Sequence, residues 1–190
     1  MGPQAWPFQQ ERLAPDVVSF NAVISACEKC LQWGQALGIL SKMQQVQLAP
    51  DVISYNAAIS ACEKGRQWQQ VVGMMSEMRQ TQVQLNEVTY NAVISACEKG
   101  EQRERALSIL VEMRHGQMEA DVVTYSAATS ACENGEQWEW AWDMLWEMRQ
   151  VQVELDTISY SAAISACAKG EQWKQALGLM SEMRKSAVRI

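Results

Sequence analysis

Short hydrogen-bonding side chains return along this chain at a fixed interval. Asn21, Asn56, Asn91, Ser126 and Ser161 are spaced 35 residues apart, and Asp51, Asn86, Asp121 and Asp156 form a second series with the same period. An amide offers donors and an acceptor, a hydroxyl offers one donor and accepts as well, and an ionised carboxylate only accepts. Such a set can read the polar edge of a bound group; it can equally mark helix starts, where Asn, Asp and Ser are preferred caps. A third series, Val18, Ile53, Val88, Val123 and Ile158, is aliphatic in every copy. Lys29, Lys64, Lys99 and Lys169 form a fourth, interrupted by Asn134. Covalent chemistry has no comparable support. The single histidine, His115, stands at a variable turn with no recurring acid, serine or thiol partner, and no phosphate-cradling glycine motif is present. An enzyme is disfavoured and no catalytic residue is assigned.

The cysteines follow the same period. Cys27, Cys62, Cys97, Cys132 and Cys167 occupy one repeat position and Cys30 is extra. Equivalent residues on stacked helices lie about 8–10 Å apart, beyond the reach of a disulfide. Cys27 and Cys30 make one CxxC, a weak signal without a second pair. Reduced, buried thiols are the reading, with neither metal nor cofactor expected.

The elements that position these residues are helical. Phe20, Val23, Ile24 and Cys27 recur at i, i+3, i+4 and i+7, as do Tyr55, Ala58, Ile59 and Cys62. Ser19, Ser54, Thr89, Thr124 and Ser159 stand just ahead of that pattern and Asp16, Asp51, Asn86, Asp121 and Asp156 three residues earlier, so capping side chains are available in each unit. Gly65, Gly100, Gly135 and Gly170 close the helix and are expected to take the left-handed C-cap conformation; Cys30 replaces that glycine in the first unit, where the turn should be less comfortable. A second helix runs from Trp68 through Val71, Val72, Met75 and Met78, and its counterpart from Trp173 through Met183. The column Met43, Met78, Met113, Met148 and Met183 and the tryptophans Trp33, Trp68, Trp138 and Trp173 read as core. Trp140, Trp142 and Trp146 crowd a turn and a half and cannot all face inward, so some aromatic surface is expected there.

Two helices per 35 residues make a hairpin, and repetition at this period signals stacked units. The fold class is all-α, a right-handed α-solenoid of helix-turn-helix hairpins with units at 17–51, 52–86, 87–121, 122–156 and 157–190. Residues 1–16 read as the tail of a preceding unit or an extension, because Leu13 Ala14 Pro15 Asp16 matches Leu48 Ala49 Pro50 Asp51. With 48% hydrophobic and 20% charged residues in 190, the composition is globular. No apolar run reaches the roughly 18–20 residues of a membrane span. The opening residues Met1–Phe8 carry neither a secretory signal nor an Arg-rich transit segment.

Val88 Thr89 Tyr90 Asn91, Lys99 Gly100, Ala106 Leu107 and Met113 together resemble the pentatricopeptide repeat family, and the resemblance extends over residues 17–190. Tetratricopeptide repeats have a period of 34 and a different signature. Two features depart from the family pattern: Gln47, Gln82, Gln117 and Gln152 replace the glycine usual near the end of the second helix, and within the five units the proline before the closing Asp survives only as Pro50. The resemblance implies single-stranded RNA as partner, read one nucleotide per repeat. An unstacked base needs an apolar clamp and an edge reader. By similarity the clamp is Val18, Ile53, Val88, Val123 and Ile158. The readers are Asn21 with Asp51, Asn56 with Asn86, Asn91 with Asp121 and Ser126 with Asp156, leaving Ser161 without a partner. The family's code then implies the register 5′ U, C or U, U, G 3′, with Lys29, Lys64, Lys99 and Lys169 at the RNA backbone. A chloroplast or mitochondrial setting and a role in RNA processing or stability are likewise implied by resemblance alone.

Charge opposes that expectation in sign, since the net charge is −6 and phosphate binding calls for a basic surface. The acidity is uneven. Residues 122–156 hold seven acidic side chains against one basic, whereas residues 157–190 hold five basic against two acidic. Glu139, Asp143 and Glu147 fit a solvated convex face. The competing function is a scaffold that binds a protein through its groove or its Trp-rich fourth unit, for which acidity is no obstacle; no small-molecule substrate is indicated.

Overall fold

Each first helix begins where an Asp or Asn can accept a backbone N–H three residues on. The Oδ1 atoms of Asp16, Asp51, Asn86, Asp121 and Asp156 accept from the amides of Ser19, Ser54, Thr89, Thr124 and Ser159 at 2.7–3.0 Å. The helices therefore start three residues ahead of the Phe20 or Tyr55 position where the apolar periodicity becomes visible. A computed structural model describes residues 15–133 and 138–187, with the side chains of residues 186 and 187 excepted. The described residues form ten helices: α1 (Val17–Lys29), α2 (Trp33–Gln45), α3 (Val52–Lys64), α4 (Trp68–Gln80), α5 (Glu87–Lys99), α6 (Arg103–His115), α7 (Val122–Glu133), α8 (Trp138–Gln150), α9 (Thr157–Lys169) and α10 (Trp173–Ala187). None is long and apolar enough to cross a membrane.

The bends correct the sequence reading of the glycines. Gly65, Gly100 and Gly170 have φ of −81°, −91° and −82°, ordinary values. The left-handed residue is the next one: Leu31, Arg66, Glu101 and Glu171 have φ of 56–57°. The amide after it bonds back into the helix, as Gln67 N–H does to the Cys62 carbonyl at 2.9 Å, which closes a Schellman turn. Glycine is required for space instead. A Cβ on Gly65 would lie 2.5 Å from Trp33 Cδ1, one on Gly100 2.3 Å from Trp68 Cδ1, and one on Gly170 2.5 Å from Trp138 Cδ1. Trp33, Trp68 and Trp138, each at the start of a second helix, thus lie on the bend of the following unit. Cys30 sits at φ −90° with an unremarkable turn, contrary to expectation, because no tryptophan from a preceding unit lies over it among the described residues. Gly135 and Asn134 fall outside the described residues, as do residues 1–14.

The turns between units use the same device. Gln47, Gln82, Gln117 and Gln152 have φ of 56–60°, and the following amide reaches the Met carbonyl five residues back, as Val83 N–H does to Met78 at 2.8 Å. Replacing glycine by glutamine therefore leaves the turn intact, at a cost of about 1 kcal/mol for each left-handed L-residue.

Every first helix packs on the next first helix, α1 on α3, α3 on α5, α5 on α7 and α7 on α9, while second helices touch only first helices at backbone range. Closer spacing on one side curves the stack, so the first helices line the inner face. Tyr55, Ala58, Ile59, Cys62, Met78 and their repeats form one continuous core between the layers, with Met43, Met78, Met113 and Met148 fully buried. Trp33, Trp68 and Trp138 are half-buried against this core. Trp173 departs from the core reading at 64% exposed, because no described helix packs beyond α10.

Candidate nucleic-acid interface

The second and fifth residues of each first helix lie three apart and so share one helix face. At the second position Val18, Ile53, Val88, Val123 and Ile158 are all 58–73% exposed. Burial of even one such side chain contributes about 1.5–3 kcal/mol, yet this column remains in water in every unit. An unbroken aliphatic row on a helix layer whose other faces are well packed is a surface prepared for contact.

Beside it, each fifth residue meets the last residue of its own unit, which is also the N-cap of the next first helix. Asn21 Nδ2 donates to Asp51 Oδ1 at 3.2 Å and Asn56 Nδ2 to Asn86 Oδ1 at 3.2 Å. Asn91 Nδ2 lies 3.4 Å from both carboxylate oxygens of Asp121, and Ser126 Oγ donates to Asp156 Oδ1 at 3.1 Å. All four pairs named from sequence are thus in contact, so capping and pairing are carried by the same atoms. Ser161 is exposed. Ser126 is only 6% exposed, which leaves Asp156 as the accessible member of its pair. Burial works against the charge on Asp51 and Asp156, but the Ser54 and Ser159 backbone amides and hydroxyls, with Asn21 or Ser126, outweigh it and hold both carboxyls below the usual value.

A group that the sequence marked only as helix starts completes the arrangement. Ser54 Oγ donates to Asn21 Oδ1 at 2.5 Å, Thr89 Oγ1 to Asn56 Oδ1 at 2.7 Å and Thr124 Oγ1 to Asn91 Oδ1, while Ser159 Oγ lies 2.9 Å from Ser126 Oγ. All four hydroxyl residues are fully buried.

The lysines sit in ladders between units. Lys64 Nζ lies 2.8 Å from Glu28, Lys99 Nζ 2.6 Å from Glu63 and Lys169 Nζ 3.6 Å from Glu133. Ser60 and Ser95 add hydrogen bonds of 2.8 Å to Glu28 and Glu63. These lysine side chains stay 36–49% exposed, so pairing does not remove them from solvent. Glu98 breaks the pattern. Its lysine position is Asn134, and neither a lysine nor Ser130 is bonded to it among the described residues. A cleft of about 360 Å³ lined by Glu98, Arg103, Arg105 and Ser130 opens there. Burial, only partly countered by Lys99 and Arg66, pushes the Glu98 carboxyl up.

A second ladder explains part of the acidity. Tyr55, Tyr90 and Tyr125 donate their hydroxyls to Glu77, Glu112 and Glu147 at 2.7–2.9 Å, and Arg79 and Arg114 of the preceding second helices pair with Glu112 and Glu147. Glu147 therefore does not belong to a solvated convex face, because its side chain is 16% exposed and engaged twice. Glu139 and Asp143 are exposed. On the same helix Trp140 and Trp146 are 43% and 57% exposed and Trp142 packs against the core. The sites equivalent to Trp140 and Trp146 hold Gln35 and Ser41, Gln70 and Ser76, Arg105 and Val111, and Gln175 and Ser181. No group of three or more metal-ligating side chains occurs among the described residues.

The PPR repeat family model matches residues 15–64, 50–99 and 85–134, and the PPR repeat model matches residues 158–188. Among solved structures the chain is similar to the pentatricopeptide repeat protein PPR10 from maize, with TM-score 0.75 and 22% identity over 90% of this chain and 25% of that one. It is also similar to PPR10 in complex with an 18-nt psaJ RNA element, with TM-score 0.69 and 22% identity over 87% and 24% of the two chains. A third likeness is to the PPR domain of Arabidopsis thaliana protein-only RNase P 1 in complex with tRNA, with TM-score 0.81 and 13% identity over 92% and 91%. No curated protein matches it in sequence. The chain spans about a quarter of the length of the maize protein. At these identities the likeness is one of fold.

Proposed function

The chain belongs to the pentatricopeptide repeat family, and we propose that it binds single-stranded RNA, one nucleotide per repeat, with units at 17–51, 52–86, 87–121, 122–156 and 157–190. The observation that carries this reading is the exposed aliphatic row Val18, Ile53, Val88, Val123 and Ile158 lying beside four cross-linked polar pairs. A base held between two such aliphatic side chains loses its stacking partners and gains apolar contact, while its edge faces the pair. The family's code, carried to these pairs, gives U for Asn21 with Asp51, C or U for Asn56 with Asn86, U for Asn91 with Asp121 and G for Ser126 with Asp156. Lys29, Lys64, Lys99 and Lys169 would meet phosphates, and three of them would have to share their charge with a glutamate. The bound transcript's fate, in processing or stability within a chloroplast or mitochondrion, follows from the family resemblance alone. A labelled oligonucleotide carrying UCUG in A-rich sequence is expected to bind more tightly than one carrying UCUA; equal binding would overturn the code assignment.

A second reading rests on Trp140 and Trp146, which stand exposed where the first, second and fifth units hold Gln and Ser. It makes the fourth unit a protein-binding face and the array a scaffold without RNA activity. Filter binding to random single-stranded RNA at low salt separates the two, since no retention at micromolar protein would favour the scaffold.

A further inference from the structure

We infer that the buried hydroxyls Ser54, Thr89 and Thr124 are specificity-positioning residues: each fixes which end of the preceding unit's asparagine amide faces a base. The inference rests on the RNA-reading proposal and adds to it a residue that itself touches no RNA.

The argument is clearest at Thr89. Its Oγ1 lies 2.7 Å from Asn56 Oδ1 and 2.9 Å from Asn86 Oδ1, and it accepts from the Asn86 amide at 3.4 Å. A threonine hydroxyl has one proton. Asn86 Oδ1 already receives the Thr89 amide at 3.0 Å and Asn56 Nδ2 at 3.2 Å, so the proton goes to the nearer Asn56 Oδ1. Asn56 is then held at both ends of its amide. Its oxygen is occupied by Thr89 and one Nδ2–H by Asn86, which leaves the second Nδ2–H to present to a base as a donor. The reversed amide would set Oδ1 against Asn86 Oδ1, two acceptors in contact. Asn21 with Ser54 and Asn91 with Thr124 repeat the geometry.

Helix capping does not require this choice of side chain. The N-cap bond runs from the Ser54, Thr89 or Thr124 backbone amide, and the usual reciprocal residue at this helix position is Glu or Gln. An ionised glutamate has no proton to give and would leave the asparagine oxygen without a donor. The short hydroxyl closes the capping box and also donates across to the previous unit. The consequences are graded. At Asn91 the partner Asp121 is a carboxylate, and a charge-assisted bond is about twice as strong as a neutral one, so the amide keeps most of its orientation without the hydroxyl. At Asn56 the partner is neutral and the hydroxyl matters more.

The test uses the whole chain and oligonucleotides carrying each of the four bases in turn at every read position. Thr89→Val keeps shape and removes the proton. It is expected to cut the pyrimidine preference at the second nucleotide by about three- to tenfold, the worth of one net hydrogen bond, with the first and third nucleotides unchanged. Thr89→Ser should retain the wild-type profile, and Thr124→Val should lose less at the third nucleotide than Thr89→Val loses at the second. Ser54→Ala applies the test at the first nucleotide should Thr89→Val fail to fold, with a smaller fall expected, as for Thr124→Val, because Asp51 is also a carboxylate. An unchanged second-position preference in Thr89→Val, or an equal fall at all positions, would overturn the lock and leave the RNA reading standing. A wild-type chain with no base preference anywhere would overturn both.

Discussion

Gly100→Ala distinguishes glycine as a conformational necessity from glycine as a space requirement. With φ at −91°, Gly100 is in a region open to alanine, and the lower entropy of the unfolded chain would by itself stabilise the variant by about 0.4–1 kcal/mol. Against this, the new Cβ would stand 2.3, 2.6 and 3.0 Å from Cδ1, Cγ and Cβ of Trp68, where carbon atoms prefer about 3.5–4.0 Å. These are the atoms of Trp68 nearest its backbone, so the side chain cannot swing clear by moving its far end, and the ring must also leave Arg105, stacked 5.0 Å from its centroid. Overpacking of this kind costs about 1–3 kcal/mol. The net expectation is a loss of about 1–2 kcal/mol, read as a lower urea midpoint at unchanged slope. In a Trp68→Ala background the same substitution should become neutral or stabilising. Gly73→Ala, in the interior of α4 with nothing within 4 Å of the added carbon, should stabilise by about 0.5–1 kcal/mol. An equal loss from Gly100→Ala with and without the tryptophan would refute the steric account.

Asp51→Asn should leave stability at pH 7 within about 0.5 kcal/mol, since Asn and Asp cap equally well and Asn86 already fills this role. The folded Asp51 carboxyl lies below its ordinary 3.8, so its ionised form contributes stability above about pH 4 that is lost as pH falls through the folded value; melts from pH 2 to 7 should show a shallower acid limb in the variant. Glu98→Gln and Glu63→Gln should differ in sign. The Glu98 carboxyl is raised above 4.5, so its charge opposes folding at neutral pH and the variant should gain stability that fades as the solution is acidified, whereas Glu63→Gln removes the charge that pairs with Lys99 and weakens the bonds it accepts from Lys99 and Ser95 and should lose stability. Matched urea titrations at pH 7 and pH 4 check both. Native-state maleimide labelling followed by mass spectrometry should modify the exposed Cys30 first, while Cys62, Cys97 and Cys132, buried and pushed up to about 11, stay protected until unfolding; equal rates for Cys30 and Cys97 would contradict the packing.

The helices and their caps were legible in the sequence because each depends on spacing and on residue types with narrow roles, whereas the pairing of Asn21 with Asp51 came from the family resemblance alone. The bend glycines were misread because a C-terminal glycine ordinarily signals a left-handed residue, and nothing within one unit shows that Trp33 of the unit before lies across Gly65. Glu147 was misplaced for the same reason. Its partners Arg114 and Tyr125 lie 33 and 22 residues away, and helical periodicity reports only neighbours three or four apart. The buried hydroxyls were visible as helix starts, but their second bond crosses a unit boundary. What escaped the sequence reading is the contact between helices, most of it across a unit boundary.

Those contacts also change what the acidic balance means. Glu28, Glu63 and Glu133 face lysines, and Glu77, Glu112 and Glu147 hold tyrosine hydroxyls. These contacts fix where the acidic side chains lie, and the net value of −6 already counts the lysines and arginines that pair with them. The lysine–glutamate pairs and the arginine–glutamate pairs tie successive units together on two edges, which would hold the spacing of units that the proposed one-base-per-unit reading requires. Between the third and fourth units the arginine edge is present, with Arg114 on Glu147, while the position that holds lysine opposite the equivalents of Glu98 is Asn134, outside the described residues. The acidic fourth unit thus has an asparagine where the other units place the inter-unit lysine, while Arg114 on Glu147, the Thr124 hydroxyl on Asn91 and the packing of α5 on α7 join it to the unit before.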